Sequence, residues 1–202
     1  MFDPATALSD AQLEVLGLKG LQGSQEDIAN QIYQWQKQRM YNVGFGTSLE
    51  ALEAAYTLRW NTILPGIYPV SEIVVERKKT IDGEEKIYGT CWDFAAVFIA
   101  VARAYNLEVR MTAIKETPNV PTGMPLSEYN ALKPKLEKAK VSFTYTQISN
   151  AIKIPYKHYR AEVKIGGEWV PKDASVAEGT SPPGTYEEYR WDERADPNLT
   201  TK

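Results

Sequence analysis

Tyr88-Gly89-Thr90-Cys91-Trp92-Asp93-Phe94-Ala95 carries the chain out of a loop and into a helix, and it sets the protein's only cysteine at the point of change. Thr90 has the chemistry of an N-cap. Its hydroxyl can accept from the amide of the third helical residue, and Asp93, three positions on, completes a Thr-x-x-Asp capping signature. Cys91 is then the first helical residue, where unpaired backbone amides and the positive end of the helix dipole favour a thiolate. Asp93 works weakly against this, as a second negative charge on the same turn.

Residues 94 to 105, Phe-Ala-Ala-Val-Phe-Ile-Ala-Val-Ala-Arg-Ala-Tyr, are apolar nearly all round. That pattern predicts a helix buried on most sides, with alanines that let neighbours come close. A thiol at the tip of such a helix is held on a rigid element, as a nucleophile has to be.

The only histidine stands 67 positions further on. From His158 to Ile165 polar and apolar residues alternate with the period of a half-buried strand, so Tyr159, Ala161, Val163 and Ile165 share the core face and His158 lies on the other. Gly166-Gly167 is a two-residue hairpin signal, after which Glu168-Trp169-Val170-Pro171-Lys172-Asp173 returns. Pairing Ile165 with Glu168 sets Val163 opposite Val170 and Arg160 opposite Asp173. Asp173 becomes a diagonal, same-face neighbour of His158, at roughly 7 Å between backbones. A slip of one residue would turn it to the opposite face. Pro171 lacks an amide donor, which makes this returning strand an edge or a bulge.

Taken singly, these residues have bland readings. A lone cysteine is usually a small buried hydrophobe, and a lone strand histidine is usually half-exposed. Their joint context favours more: a thiol at a capped helix start, a histidine on the polar face and an aspartate in register with it. Together they form a nucleophile, a base and an orienting carboxylate, the set needed for acyl transfer through a covalent thioester. The Cys91 amide is one candidate oxyanion donor. Tyr88 and Trp92 flank the thiol as candidate substrate-binding residues, with core packing as an equal alternative.

Gly89-Thr90-Cys91-Trp92-Asp93-Phe94-Ala95, the helix and Asn106-Leu107-Glu108-Val109-Arg110 after it, His158 with Ala161-Glu162-Val163, Gly166-Gly167-Glu168-Trp169-Val170 and Asp173-Ala174-Ser175 together resemble the core of the transglutaminase-like superfamily over roughly residues 86 to 176. The resemblance implies an α+β, papain-like fold, with the nucleophile helix packed on an antiparallel sheet. It also implies a Cys91-His158-Asp173 triad, a protein or peptide substrate and a second oxyanion donor from an upstream side chain, for which Trp60 and Asn61 are uncommitted candidates. The family usually shows a small residue and then an aromatic after the histidine, whereas Tyr159 and Arg160 follow here, so that wall of the cleft differs.

Composition agrees with a globular enzyme. Forty-three per cent apolar content, with twelve tyrosines and five tryptophans, is enough for a core, and 202 residues fit one domain over 1–202, with a mainly helical part over 1–66 and the catalytic core over 86–176. A net charge of −3 argues against a nucleic-acid groove. Lys133, Lys135, Lys138 and Lys140 read as the solvated face of a helix. One cysteine and one histidine cannot make a metal site without carboxylates in a recognisable spacing, no EF-hand pattern occurs, and no cofactor is called for. No stretch reaches the roughly 18 to 20 apolar residues of a membrane span, and the N-terminus lacks the regions of a signal peptide. A single cysteine leaves no disulfide framework, so compartment stays open, as does oligomeric state.

Elsewhere, Ser24, Glu26 and Asp27 open a helix over 24 to 40 that ends at Lys37 and Arg39 and buries Ile28, Ile32 and Trp35. A second helix is predicted over 48 to 60, stopped by Pro65-Gly66. Leu107 to Ala113 and Val141 to Tyr145 alternate as strands, which makes four strands after the nucleophile helix. The Pro-, Gly- and charge-rich tail from Glu178 is expected to wrap the surface or fray. Three functional readings follow: a cysteine peptidase or amidase with water as acceptor, a transglutaminase with a lysine amine as acceptor, and a binding or scaffold module with an unused triad.

Overall fold

Twelve consecutive residues, Cys91 to Ala102, are buried in the computed structural model, and the rest of the fold is arranged around the helix they begin. The structure describes residues 5–42, 69–81, 83–114, 130, 133–134, 158–177 and 181–189. In chain order its elements are α1 (Asp10–Leu16), α2 (Gln25–Arg39), β1 (Met40–Asn42), α3 (Val70–Glu76), β2 (Lys78–Ile81), β3 (Glu84–Gly89), α4 (Cys91–Ala104), β4 (Val109–Ile114), β5 (Tyr159–Ile165), β6 (Glu168–Lys172) and β7 (Tyr186–Glu188). This is a mixed α+β architecture. Among the described residues no helix is long and apolar enough to cross a membrane.

Two sheets meet the central helix. The smaller has the order β1-β3-β2, with β1 parallel and β2 antiparallel to β3. It ends at Gly89, two residues before the thiol. The larger has the order β6-β5-β4-β7 and is antiparallel throughout. Helix α4 lies against β4 and β5 of this sheet, and α2 and α3 cover it from other sides. Because α4 is enclosed by sheet and helices together, its sequence has no polar face to spare.

The expected hairpin register is the observed one: Ile165 pairs with Glu168, Val163 with Val170 and Ala161 with Lys172. Gly166 and Gly167 have φ of 61° and 92°, values that a two-residue turn with positive φ at both positions requires and that side chains resist. Strand β6 is an edge strand, consistent with Pro171 in it.

Several expectations are revised. Helix α2 is present, but its buried line runs through Ala29, Ile32 and Gln36, with Ile28 and Trp35 at its flanks. Gln36 is tolerated there because its Nε2 donates to the Phe94 carbonyl of α4 at 2.7 Å. The polar face of β5 is only partly exposed. Glu162 on it is buried, accepting from Arg110 Nη2 at 2.7 Å and Arg160 Nη2 at 2.8 Å. The tail does more than wrap the surface, since residues 186–188 add β7 to the free edge of β4, with Ile114 opposite Tyr186 and Thr112 opposite Glu188. Helices α1 and α3 and the β2–β3 pair were not anticipated. The predicted helix over 48 to 60, the strand over 141 to 145, and Lys135, Lys138 and Lys140 lie outside the described residues, whereas Lys133 is exposed.

Candidate active site

The site begins with a glycine. Strand β3 delivers Gly89 against the first turn of α4 so closely that a Cβ there would stand 2.7 Å from the Cβ of Asp93. No other residue fits without displacing the helix start. Thr90 is the N-cap, and Asp93 reaches back to it: one carboxylate oxygen accepts from the Thr90 amide at 2.8 Å and from its hydroxyl at 3.0 Å. The capping box expected from the sequence is therefore built, with its firm half on the aspartate side.

Asp93 is fully buried, and burial of a lone carboxylate so close to a thiol would oppose a second negative charge. Arg77, from the loop between α3 and β2, answers it with Nη1 at 2.9 Å from the other oxygen. The expected like-charge opposition to Cys91 is thus offset by a neighbouring cation that the sequence did not reveal.

His158 precedes β5 and is held by the end of β4, where the Ile114 amide donates to its carbonyl at 2.9 Å. Asp173 follows β6 on the adjacent strand. The His158 Nε2 lies 2.6 Å from Asp173 Oδ2, so the diagonal relation expected from the hairpin register closes into a short, charge-assisted hydrogen bond. The imidazole is completely buried.

Its other nitrogen, Nδ1, is sealed from solvent and makes no well-formed hydrogen bond. The Cys91 thiol nevertheless acts on this ring, both through hydrogen bonding and through charge. With Nε2 taken by Asp173, the Nδ1 side is left for the sulfur. Burial lowers the affinity of His158 for a proton. The Asp173 hydrogen bond, the Cys91 hydrogen bond and charge, and the Asp173 charge outweigh it and push the pKa up to about 9.

Asp173 is the most fully coordinated group in the site. Besides His158, its Oδ2 accepts from the Ser181 hydroxyl at 2.6 Å. Its Oδ1 accepts from the Ser175 hydroxyl at 2.7 Å and the Ser175 amide at 3.3 Å. Burial raises its pKa, but the hydrogen bond and charge of His158 and the two serine hydroxyls prevail and hold the carboxyl below its ordinary value. The Tyr186 and His158 rings meet in a T-shaped contact with centres 6.3 Å apart, and the Arg160 guanidinium carbon lies 3.6 Å from the centre of the Tyr186 ring. Burial, with the nearby charges of Asp173, Cys91 and Glu162, pushes this phenol up to about 12 against the opposing pull of Arg160.

Of the residues expected to flank the thiol, Trp92 is buried in the apolar core and Tyr88 is half-buried on β3. Cys91 itself keeps 8% of its surface. Trp60 and Asn61 lie outside the described residues. Sequence reading missed Arg77, Ser181 and Tyr186. Ser175 was within reach of it, because a serine two residues after an aspartate is a local hydrogen-bonding pattern, whereas Ser181 and Tyr186 depend on where the tail returns.

A central helix bearing a thiol at its N-terminus, set against an antiparallel sheet bearing a His–Asp pair, defines a papain-like α+β class. The family model of the transglutaminase-like superfamily matches residues 20–174, and the chain belongs to that superfamily. No curated protein and no solved structure matches it. Superfamily members are generally thiol enzymes, peptidases or acyltransferases.

Proposed function

We propose that this protein is a cysteine-dependent amide hydrolase working through a thioester acyl-enzyme. The observation that carries the reading is the 2.6 Å His158–Asp173 bond on the ring that also interacts with Cys91. His158 takes the thiol proton on Nδ1, since Nε2 is committed to Asp173. An imidazole with a pKa of about 9 is matched to a thiol, whose free value is about 8.5.

The sulfur attacks the carbonyl carbon of a peptide or side-chain amide, and the oxyanion faces the Cys91 amide at the helix N-terminus. As the C–N bond breaks, imidazolium returns the proton to the departing amine and leaves a thioester. Water then gives its proton to His158, attacks the same carbon and releases a carboxylic acid and the restored thiol. Asp173 keeps the ring oriented and supports its positive charge throughout.

Iodoacetamide is expected to alkylate Cys91 rapidly near pH 6, where an unassisted thiol is almost wholly protonated. Labelling that rises only above about pH 8 would favour a binding module on the same fold. His158→Ala should abolish the fast reaction, and Asp173→Ala should weaken it less. A glutamine peptide offered with and without a fluorescent amine divides water from amine as acceptor. Amine incorporation outrunning hydrolysis would make the protein a transglutaminase.

A further inference from the structure

Resting on the catalytic reading above, we propose that Ser181 is a positioning residue: its hydroxyl, supplied from beyond the hairpin that carries His158 and Asp173, fixes the carboxylate oxygen on which His158 depends. Oδ2 of Asp173 receives two donors at the same distance, His158 Nε2 and Ser181 Oγ at 2.6 Å each. Oδ1 is occupied by the hydroxyl and amide of Ser175. With both oxygens held, the carboxylate cannot rotate about its terminal bond without breaking charge-assisted hydrogen bonds in a buried setting.

The segment that brings Ser181 is itself fixed. The Tyr186 hydroxyl donates to the Pro182 carbonyl at 3.1 Å, closing the turn that Ser181 begins. Tyr186 then pairs with Ile114 in β7, and Ile114 is the residue whose amide holds the His158 carbonyl. One end of β4 therefore sets the height of the imidazole and of the hydroxyl together. Among the described residues the titratable groups facing Asp173 are His158 from the start of β5 and Tyr186 from β7, with Cys91 from α4 acting on the ring of His158. None of them can replace the Ser181 hydroxyl on Oδ2. Without it that oxygen keeps only the imidazole as a donor, and the carboxylate is freer to turn about its terminal bond.

The protein has one histidine, so imidazole NMR reads this site without ambiguity. In the full chain the His158 Nε2 proton should give a low-field signal protected from exchange with water. Ser181→Ala should speed that exchange by about tenfold or more and slow alkylation of Cys91 at pH 6 by about five- to tenfold. Ser181→Thr keeps the hydroxyl and should restore both. Glu187→Ala, in the same strand with the hydroxyl intact, should change neither. An Nε2 proton as protected in Ser181→Ala as in the unaltered chain, or a threonine variant that fails to restore it, would overturn the proposal. If Cys91 of the unaltered chain proves no more reactive than an ordinary thiol, the enzymatic reading falls, while the exchange measurement still decides the role of Ser181.

Discussion

At the level of single residues, the His158–Asp173 pair ties stability to pH from both directions. His158 is pushed up to about 9 from an ordinary 6.5, so its contribution is complete below 6.5 and is lost as pH rises through 9. Asp173 is held below its ordinary 3.8, so its contribution is present above that value and lost as pH falls through the lowered one. The two limbs enclose a plateau in between. Urea unfolding followed across pH should show it, with a loss on the order of 1 to 3 kcal/mol on the alkaline side attributable to this histidine. Asp173→Asn keeps the shape of the carboxyl group and removes its charge. Burial then acts on the imidazole with less opposition, and the NMR titration midpoint of His158 should fall by at least about one unit. A midpoint that stays near 9 would assign the raised affinity to Cys91 alone.

The start of α4 shows how much of a site is packing. Gly89 permits the approach of β3, Asp93 caps Thr90, and Arg77 neutralises Asp93, so three elements agree on where the thiol stands. Gly89→Ala forces a methyl group to 2.7 Å from a buried Cβ and should cost roughly 1 to 3 kcal/mol, read as a lowered urea midpoint. Arg77→Met removes one partner of a buried pair. The stranded Asp93 charge should then cost about 3 to 5 kcal/mol, and adding Asp93→Asn should recover part of it while keeping the cap. Failure of the double variant to recover would mean that the Arg77 side chain matters for packing rather than for charge. These elements also mark what the sequence made legible. The Thr90 cap and the His158–Asp173 register could be read because each is set by local rules, three-residue spacing in one case and a Gly-Gly turn with period-two alternation in the other. Arg77 and Ser181 could not, because their partners lie 16 and 8 residues away across bends that no local periodicity specifies. The burial of Glu162 was hidden for a related reason: alternation tells which face a residue is on, not whether another layer covers that face.

For the molecule as a whole, the decisive feature is that the groups of the proposed catalytic site belong to different layers. Cys91 is fixed by β3, Thr90 and α4, on the side of the three-stranded sheet, whereas His158, Asp173 and Ser181 belong to the four-stranded one. The packing of α4 against β4 and β5 joins the two, reinforced by α2, which touches strands of both sheets, and by the hydrogen bond that Asn42 Nδ2 of β1 donates to the Ser175 carbonyl at 2.7 Å. The packing of α4 on the sheet belongs to one apolar core in which Phe98, Ile99 and Val101 of the helix and Met111, Ala161 and Val163 of the strands are all buried. Interiors packed in this way switch between docked and undocked rather than drifting. Enhanced reactivity of Cys91 should therefore be lost in the same step as the fold. Measured along a urea series at pH 6, the alkylation rate and the far-ultraviolet circular dichroism should share one midpoint. Phe98→Ala, which opens a cavity in this core seven residues along the helix from Cys91, should move both midpoints together by an amount corresponding to about 3 to 5 kcal/mol. Reactivity that decays at distinctly lower urea than the dichroism would show that the sheet carrying His158 and Asp173 can part from the helix while both stay folded, and the rigid link between layers would have to be abandoned.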